Sequence, residues 1–278
     1  MGIQDKEKPI GVFDSGIGGL TVVKKISQTF PNENIIYFGD TARVPYGSKS
    51  NSTVIEYSIQ DARFLMSKGV KIIVAACNTA SSVALNGVKK EFNLPVIGMI
   101  EPGAKSAAEK TTSGKIGVIG TRATINNKAY SKEIKKINPA LEVYEKACPL
   151  FVPLAEEGWI KHPAAYQIAE EYLKELRERK IDTLVLGCTH YPILSEVIQE
   201  IIGRDVALID SGVASAEAVN KELKEGGLFA DRNIPGVQEF YVSDIPIKFK
   251  EVAELFFGRK IKEVKKIELE ELTEASNS

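Results

Sequence analysis

Cysteine, histidine and one-sided charge are all scarce in this 278-residue chain, and each scarcity excludes something. Its three cysteines, Cys77, Cys148 and Cys188, make no CxxC pair and no disulfide framework. With only His162 and His190 to join them, a zinc site would need an unusual ligand set, so no metal is expected. No apolar run approaches the roughly 18 residues of a membrane span. Lys and Arg number 36 against 37 Asp and Glu, and the isoelectric point is about 6.3. Nothing in that balance advertises a nucleic acid or an anionic membrane as partner. The opening "MGIQDKEKPIGVFDSG" is charged and runs straight into a strand-like segment, which argues against a secretory leader. Its Met-Gly start lacks the Ser or Thr that a lipidation motif needs at position 6, where Lys6 stands. Free thiols without a leader suit a cytoplasmic protein.

What is present is an alternation of apolar runs with amphipathic segments. "IGVFD" (10–14) reads as a strand, followed by the turn Ser15-Gly16-Ile17-Gly18-Gly19 and a helical period from Leu20 to Thr29. "NIIYFGD" (34–40) is a second short apolar run. "TARVPYGSKS" (41–50) reads as a Pro/Gly/Ser loop too polar to pack. Residues 53–68 place Val54, Ile55, Ile59, Ala62, Leu65 and Met66 on one helix face, Gly69 stops the helix, and "VKIIVAA" leads as a strand into Cys77. Continuous apolar strands between amphipathic helices mean parallel sheets covered on both faces.

The second half repeats the first. "KIGVIGT" (115–121) echoes "PIGVFDS" (9–15), and the helical "AAYQIAEEYLKELRERK" (164–180) leads through "IDTLVLG" into Cys188. Gly11 and Gly117 are 106 residues apart, Cys77 and Cys188 111 residues, which points to an internal duplication. The expected fold is α/β, two pseudo-symmetric doubly wound domains of mainly parallel strands with the site in the cleft between them. Residues 1–98 plus 211–270 would form the first domain, 99–210 the second, and 271–278 a frayed tail. The return of the C-terminal segment is expected because "SGVASAEAVNKEL", "QEFYVSD" and "PIKFKEVAELFFG" need a sheet to pack on. Ligands of such sheets bind outside the strand ends, so the two thiols would point into one cleft from opposite sides.

A buried free cysteine is often no more than a small hydrophobe. Here the matched contexts, "ACNTAS" at Cys77 and "LGCTHYP" at Cys188, argue for chemistry. A thiol near pKa ~8.5 needs only modest stabilisation to present a thiolate, and a helix starting just after the strand would supply it. Asn78, Thr79, Thr189 and His190 begin those turns with donors suited to a carboxylate. The glycine-rich turn 16–19 lacks a full GxGxxG fingerprint and implies no more than backbone approach to a small ligand. Cys148 has no echo and reads as packing; Trp159 and His162 read as surface or domain contacts.

The motifs "GVFDSGIGGLTV", "GDTARVPYG", "ACNTAS", "PLFVPLAEEG" and "LGCTHYP", in this order from Gly11 to Gly258, resemble the cofactor-independent glutamate racemases. Aspartate racemases share the two-cysteine layout but typically lack the second motif in this form. The resemblance implies an enzyme without cofactor that moves the α-proton of glutamate between two thiol bases, Cys77 acting on D-glutamate and Cys188 on L-glutamate. It implies that Asp14 tunes Cys77 or handles the substrate ammonium, that His190 assists Cys188, and that Glu156, with Glu157 as its neighbour, aids the second half-site. Asp14, Ser15, Tyr46, Gly47, Asn78, Thr79, Thr189 and His190 would bind substrate. A homodimer supplying D-glutamate for peptidoglycan is implied too. Two rivals remain at this point: a cysteine hydrolase using Cys188 and His190, which leaves Cys77 without a task, and a non-catalytic carboxylate-binding protein.

Overall fold

The computed structural model describes residues 3–245 and 249–274. Among the described residues ten strands form two sheets, and every adjacent pair runs parallel. They are β1 (Ile10–Asp14), β2 (Ile35–Gly39), β3 (Ile72–Ala75), β4 (Val96–Ile97), β5 (Lys115–Gly120), β6 (Glu142–Ala147), β7 (Thr183–Gly187), β8 (Ala207–Asp210), β9 (Gln238–Val242) and β10 (Lys265–Lys266). The six-stranded sheet has the order β10-β9-β2-β1-β3-β4, and the four-stranded sheet β6-β5-β7-β8. The run β2-β1-β3-β4 and the run β6-β5-β7-β8 therefore have the same order and direction. In each, the first strand of the repeat lies at the centre and the cysteine follows the third.

Register carries the likeness to single residues. Phe13 pairs with Ala75, so Ser15 and Cys77 lie side by side just past the strand ends. Gly120 pairs with Gly187, which puts Thr121 beside Cys188 in the same way. The strands are apolar on both sides because both faces are covered. Ile10, Val12, Ile72, Val74, Ile119, Leu184 and Leu186 enter one continuous core shared by the two sheets. Phe13, Ile73 and Ala75 point to a second core and Ile116, Val118 and Val185 to a third, each on an outer face. Full burial of each such side chain contributes on the order of 1.5–3 kcal/mol, so the frame behind the strand ends is stiff.

Among the described residues, the C-terminal strands β9 and β10 extend the first sheet, where β9 lies parallel to β2. The helix Ser211–Glu225 packs against helices of both lobes, Leu20–Thr29 and Ile100–Lys110. Two expectations change. The loop 41–50 is half exposed but not wholly unpacked: Tyr46 is buried in a short 3-10 turn, Tyr46–Ser48, because its hydroxyl meets buried carboxyl groups. The acidic end does not fray from residue 271, since a helix covers Leu269–Glu274 with Leu272 buried in the second core. The rest of that tail, 275–278, lies outside the described residues, as do 1–2 and 246–248. No helix among the described residues is long and apolar enough to cross a membrane.

Candidate active site

Between the lobes lies a cavity of about 270 Å³ at the C-terminal ends of the strands. Cys77 reaches it from the end of β3 and Cys188 from the end of β7, so the duplicated frame delivers one thiol from each sheet. Ser15, Tyr46, Gly47, Asn78, Thr79, Thr189 and His190 also line it. Asp14 is not on the wall; it is buried behind it, close enough to act electrostatically on both Cys77 and His190. Glu156 reaches the site through His190 rather than by lining it. Cys148 is buried in the shared core, and Trp159 stacks on His162 away from the cavity wall.

Cross-lobe hydrogen bonds hold the walls together. Thr79 Oγ1 is 3.0 Å from Thr121 Oγ1 and 3.3 Å from Thr124 Oγ1. Tyr130 Oη donates to Asn78 Oδ1 at 2.7 Å, and Asn78 is held from its own lobe as its Nδ2 donates to Ser211 Oγ at 3.3 Å. Thr21 Oγ1 donates to the Thr189 carbonyl at 2.9 Å. The glycine at 18 serves the same closeness: any Cβ there would collide with Thr189 Oγ1 and the His190 ring. That turn was expected to approach a ligand; Gly18 instead approaches the second cysteine loop.

The two thiols, each 6 % exposed, have different neighbours. Cys77 caps the helix Asn78–Val83, where the Ala80 N–H donates to its sulfur at 3.5 Å, and Ser15 Oγ lies at 3.5 Å. Those contacts favour a thiolate, as the sequence led one to expect, but they do not win. Burial, with the Asp14 charge second, pushes the Cys77 thiol up to about 12. Asp14 is itself raised by burial against the pull of His190 and the backbone N–H groups of Gly19, Gly16 and Ser15. Its Oδ1 is buried and, among the described residues, has no hydrogen-bond partner.

Cys188 sits beside a ring. His190 Nδ1 is 3.9 Å from Cys188 Sγ, and His190 Nε2 is 2.9 Å from Glu156 Oε1. Burial works against a charged imidazole, yet the contacts with Cys188 and Glu156 prevail and bring His190 up to about 10. The ring of Phe256, from the helix Phe249–Phe257, meets His190 edge-on at 5.0 Å between centroids and fixes its plane. Of the neighbouring glutamates, Glu156 makes the contact with His190.

A match to the Asp/Glu/Hydantoin racemase family covers residues 10–219. The chain belongs to that family. This racemase-family chain is 52 % identical over 263 residues to a glutamate racemase of Geobacter metallireducens, covering 95 % of itself and 97 % of the relative. A solved glutamate racemase of Francisella tularensis in complex with D-glutamate superposes with a TM-score of 0.90 at 42 % identity, over 96 % of this chain and 99 % of that one. A glutamate racemase isoform of Bacillus anthracis gives a TM-score of 0.91 at 37 % identity, over 95 % and 98 %.

Several wall residues had escaped the sequence reading. Val44, Pro45, Ser48, Pro149, Val152 and Pro153 supply apolar and backbone surface, and Thr121 and Arg122 supply polar groups. Thr121 carried a signal, since the 106-residue offset from Gly11 to Gly117 also carries Ser15 onto Thr121. Val44, Pro45, Pro149, Val152 and Pro153 lie within the motifs "GDTARVPYG" and "PLFVPLAEEG", while Ser48 and Arg122 carried no signal.

Proposed function

We propose that this protein is a glutamate racemase that interconverts L- and D-glutamate by proton transfer at the α-carbon between Cys77 and Cys188. The observation that carries the reading is the arrival of both thiols, from two equivalent strand ends, at one cavity. A hydrolase reading gives Cys77 no task, whereas here it is placed and exposed like its counterpart.

In this mechanism one sulfur is a thiolate and the other a thiol. Cys188, beside the His190 cation, takes the α-proton of L-glutamate, and Cys77, which holds its proton tightly, delivers one to the opposite face. The D to L direction reverses the roles. Negative charge developing on the substrate carboxylate is met by the hydroxyl, amide and backbone donors of Ser15, Asn78, Thr79, Thr121 and Thr189 around the cavity. Asp14, buried behind the wall near the first thiol, is suited to keeping Cys77 protonated. His190 and Glu156 form the counterpart on the other side.

With this activity goes a division into residues 1–98 plus 211–270 and 99–210, a cytoplasmic homodimer, and D-glutamate production for peptidoglycan. The test is incubation with L-glutamate in deuterated water, with no cofactor added. The expected result is loss of optical rotation with one deuterium at the α-carbon of D-glutamate. A protein that binds glutamate without exchange at that carbon overturns the reading, and faster turnover of aspartate overturns the substrate.

A further inference from the structure

Behind the cavity wall lies a buried polar cluster that the chemistry at the thiols does not use. Asp40 follows β2, Arg43 and Tyr46 belong to the loop whose residues 44–48 line the cavity, Asp61 comes from the helix Asn51–Ser67, and Ser243 follows β9. Asp40 and Asp61 are both fully buried. Asp40 is surrounded by donors: Tyr46 Oη at 2.5 Å and Arg43 Nε at 2.6 Å on its Oδ2, and Ser243 Oγ at 2.8 Å on its Oδ1. The same Ser243 oxygen accepts from the Ala42 N–H at 2.9 Å.

Asp61 differs. Its Oδ1 accepts from Arg43 Nη2 at 3.1 Å, while its Oδ2 lies 2.9 Å from Tyr46 Oη. A phenol has one proton, and it cannot satisfy two carboxylates at once. The shorter contact takes it, so a second proton must lie between Asp61 and the phenol oxygen. The charge count agrees, since one guanidinium between two carboxylates leaves a buried net negative charge that a single proton removes.

We propose that Asp61 is a neutral carboxylic acid that donates from Oδ2 to Tyr46 Oη, and so acts as a positioning residue for the Tyr46–Gly47 wall of the cavity. The chain of donors runs from Asp61 to Tyr46 to an ionised Asp40, with Arg43 bridging both acids. Arg43 is in turn stacked over Tyr57 at 4.0 Å and donates to Gln60. The groups that face Asp61 fit this assignment. Burial and then the Asp40 charge push it well above the carboxylate range, with Asp14 adding to them, against the pull of Arg43 and Tyr46. The Tyr46 phenol is pinned from both sides, and it is followed in the wall by Gly47, where a Cβ would press on Thr121 of the opposite lobe at 3.0 Å.

The link to activity rests on the glutamate reading of the cavity, but the protonation state can be read without substrate. An infrared difference spectrum of the wild type against Asp61→Asn should show the carbonyl band of a buried protonated carboxyl. In activity, Asp61→Ala should raise KM roughly tenfold with a smaller change in kcat. Asp61→Asn should restore KM to within about threefold, since its amide places one donor and one acceptor where the acid does. Asp40→Asn should be damaged at least as much as Asp61→Ala, because it removes the ionised acid that balances the Arg43 guanidinium. Absence of the protonated band, or an Asp61→Asn variant as impaired as Asp40→Asn, overturns the proposal. A protonated band in a protein that racemises nothing leaves the proton assignment standing and sinks the substrate reading instead.

Discussion

The two thiols occupy equivalent places on equivalent strands and are equally exposed, yet their electrostatic settings are opposite. On the first side a carboxyl group, Asp14, stands behind the sulfur; on the second a histidine held by a carboxylate stands beside it. The backbone offers no reason for this. At the offset of the repeat, Asp14 corresponds to Gly120, and the position two residues past the cysteine is Thr79 on one side and His190 on the other. The repeated frame thus accounts for where the thiols point, and single side chains for the different groups that surround them.

The comparison breaks most visibly with the thiols themselves. Cys77→Ala and Cys188→Ala should each lower racemisation by about 10³-fold or more, measured by optical rotation from either enantiomer, since a missing base stops the proton's passage in both directions. If only Cys188→Ala is inactive, the two sides are not partners and a nucleophilic role for Cys188 returns. Relative rates on the two enantiomers cannot reveal the asymmetry. The equilibrium constant of a racemisation is unity, so the two values of kcat/KM must agree at every pH.

Thiol reactivity is free of that constraint. With Cys77 pushed up to about 12, its thiolate fraction at neutral pH is roughly 10³-fold below that of an ordinary thiol. Higher nucleophilicity per thiolate recovers part of this, leaving alkylation slower by roughly 30- to 60-fold. Iodoacetamide labelling followed by peptide mass spectrometry should therefore modify Cys188 first, with Cys77 gaining about tenfold per pH unit towards 12. Because both sulfurs are equally exposed, access does not explain such a difference, and equal labelling rates would end the claim of opposite settings.

Much of this site was legible in the sequence because the duplication repeats signals that survive in one dimension: an apolar strand, a small polar turn, a cysteine. The central strands β1, β3, β5 and β7 were readable for the same reason. Strand β6, "EVYEKA", was not, since this edge strand is half exposed and mixes charge with apolar groups. Strands β4 and β10 are two residues long, too short for any period. The loop 41–50 misled for a different reason. Arg43 and Tyr46 look like solvent-facing loop residues until Asp40, Asp61 and Ser243, from outside the loop, close the cluster around them. Buried polarity is a property of pairing in space, and no local pattern encodes it. The same holds for Phe256, whose ring orients His190 from the far end of the chain.

The smallest expected effect tests what holds the second side. His190 is up to about 10 through Cys188 and Glu156 together, so removing the glutamate's charge should lower it only in part. The Glu156 side chain is 38 % exposed and screened accordingly, so Glu156→Gln should move the titration down by about one unit and lower kcat a few-fold. Only two histidines are present, and the ring resonances of His190 can be followed by NMR against those of His162. The sign follows from linkage. A histidine raised in the folded state contributes stability that is full below its unfolded value near ~6.5 and is lost as pH rises through about 10. Glu156→Gln should therefore leave acid stability relatively unchanged in shape and draw the alkaline loss to lower pH. An unmoved titration would mean that Glu156 does not support the imidazolium, and that Cys188 alone distinguishes this side from the first.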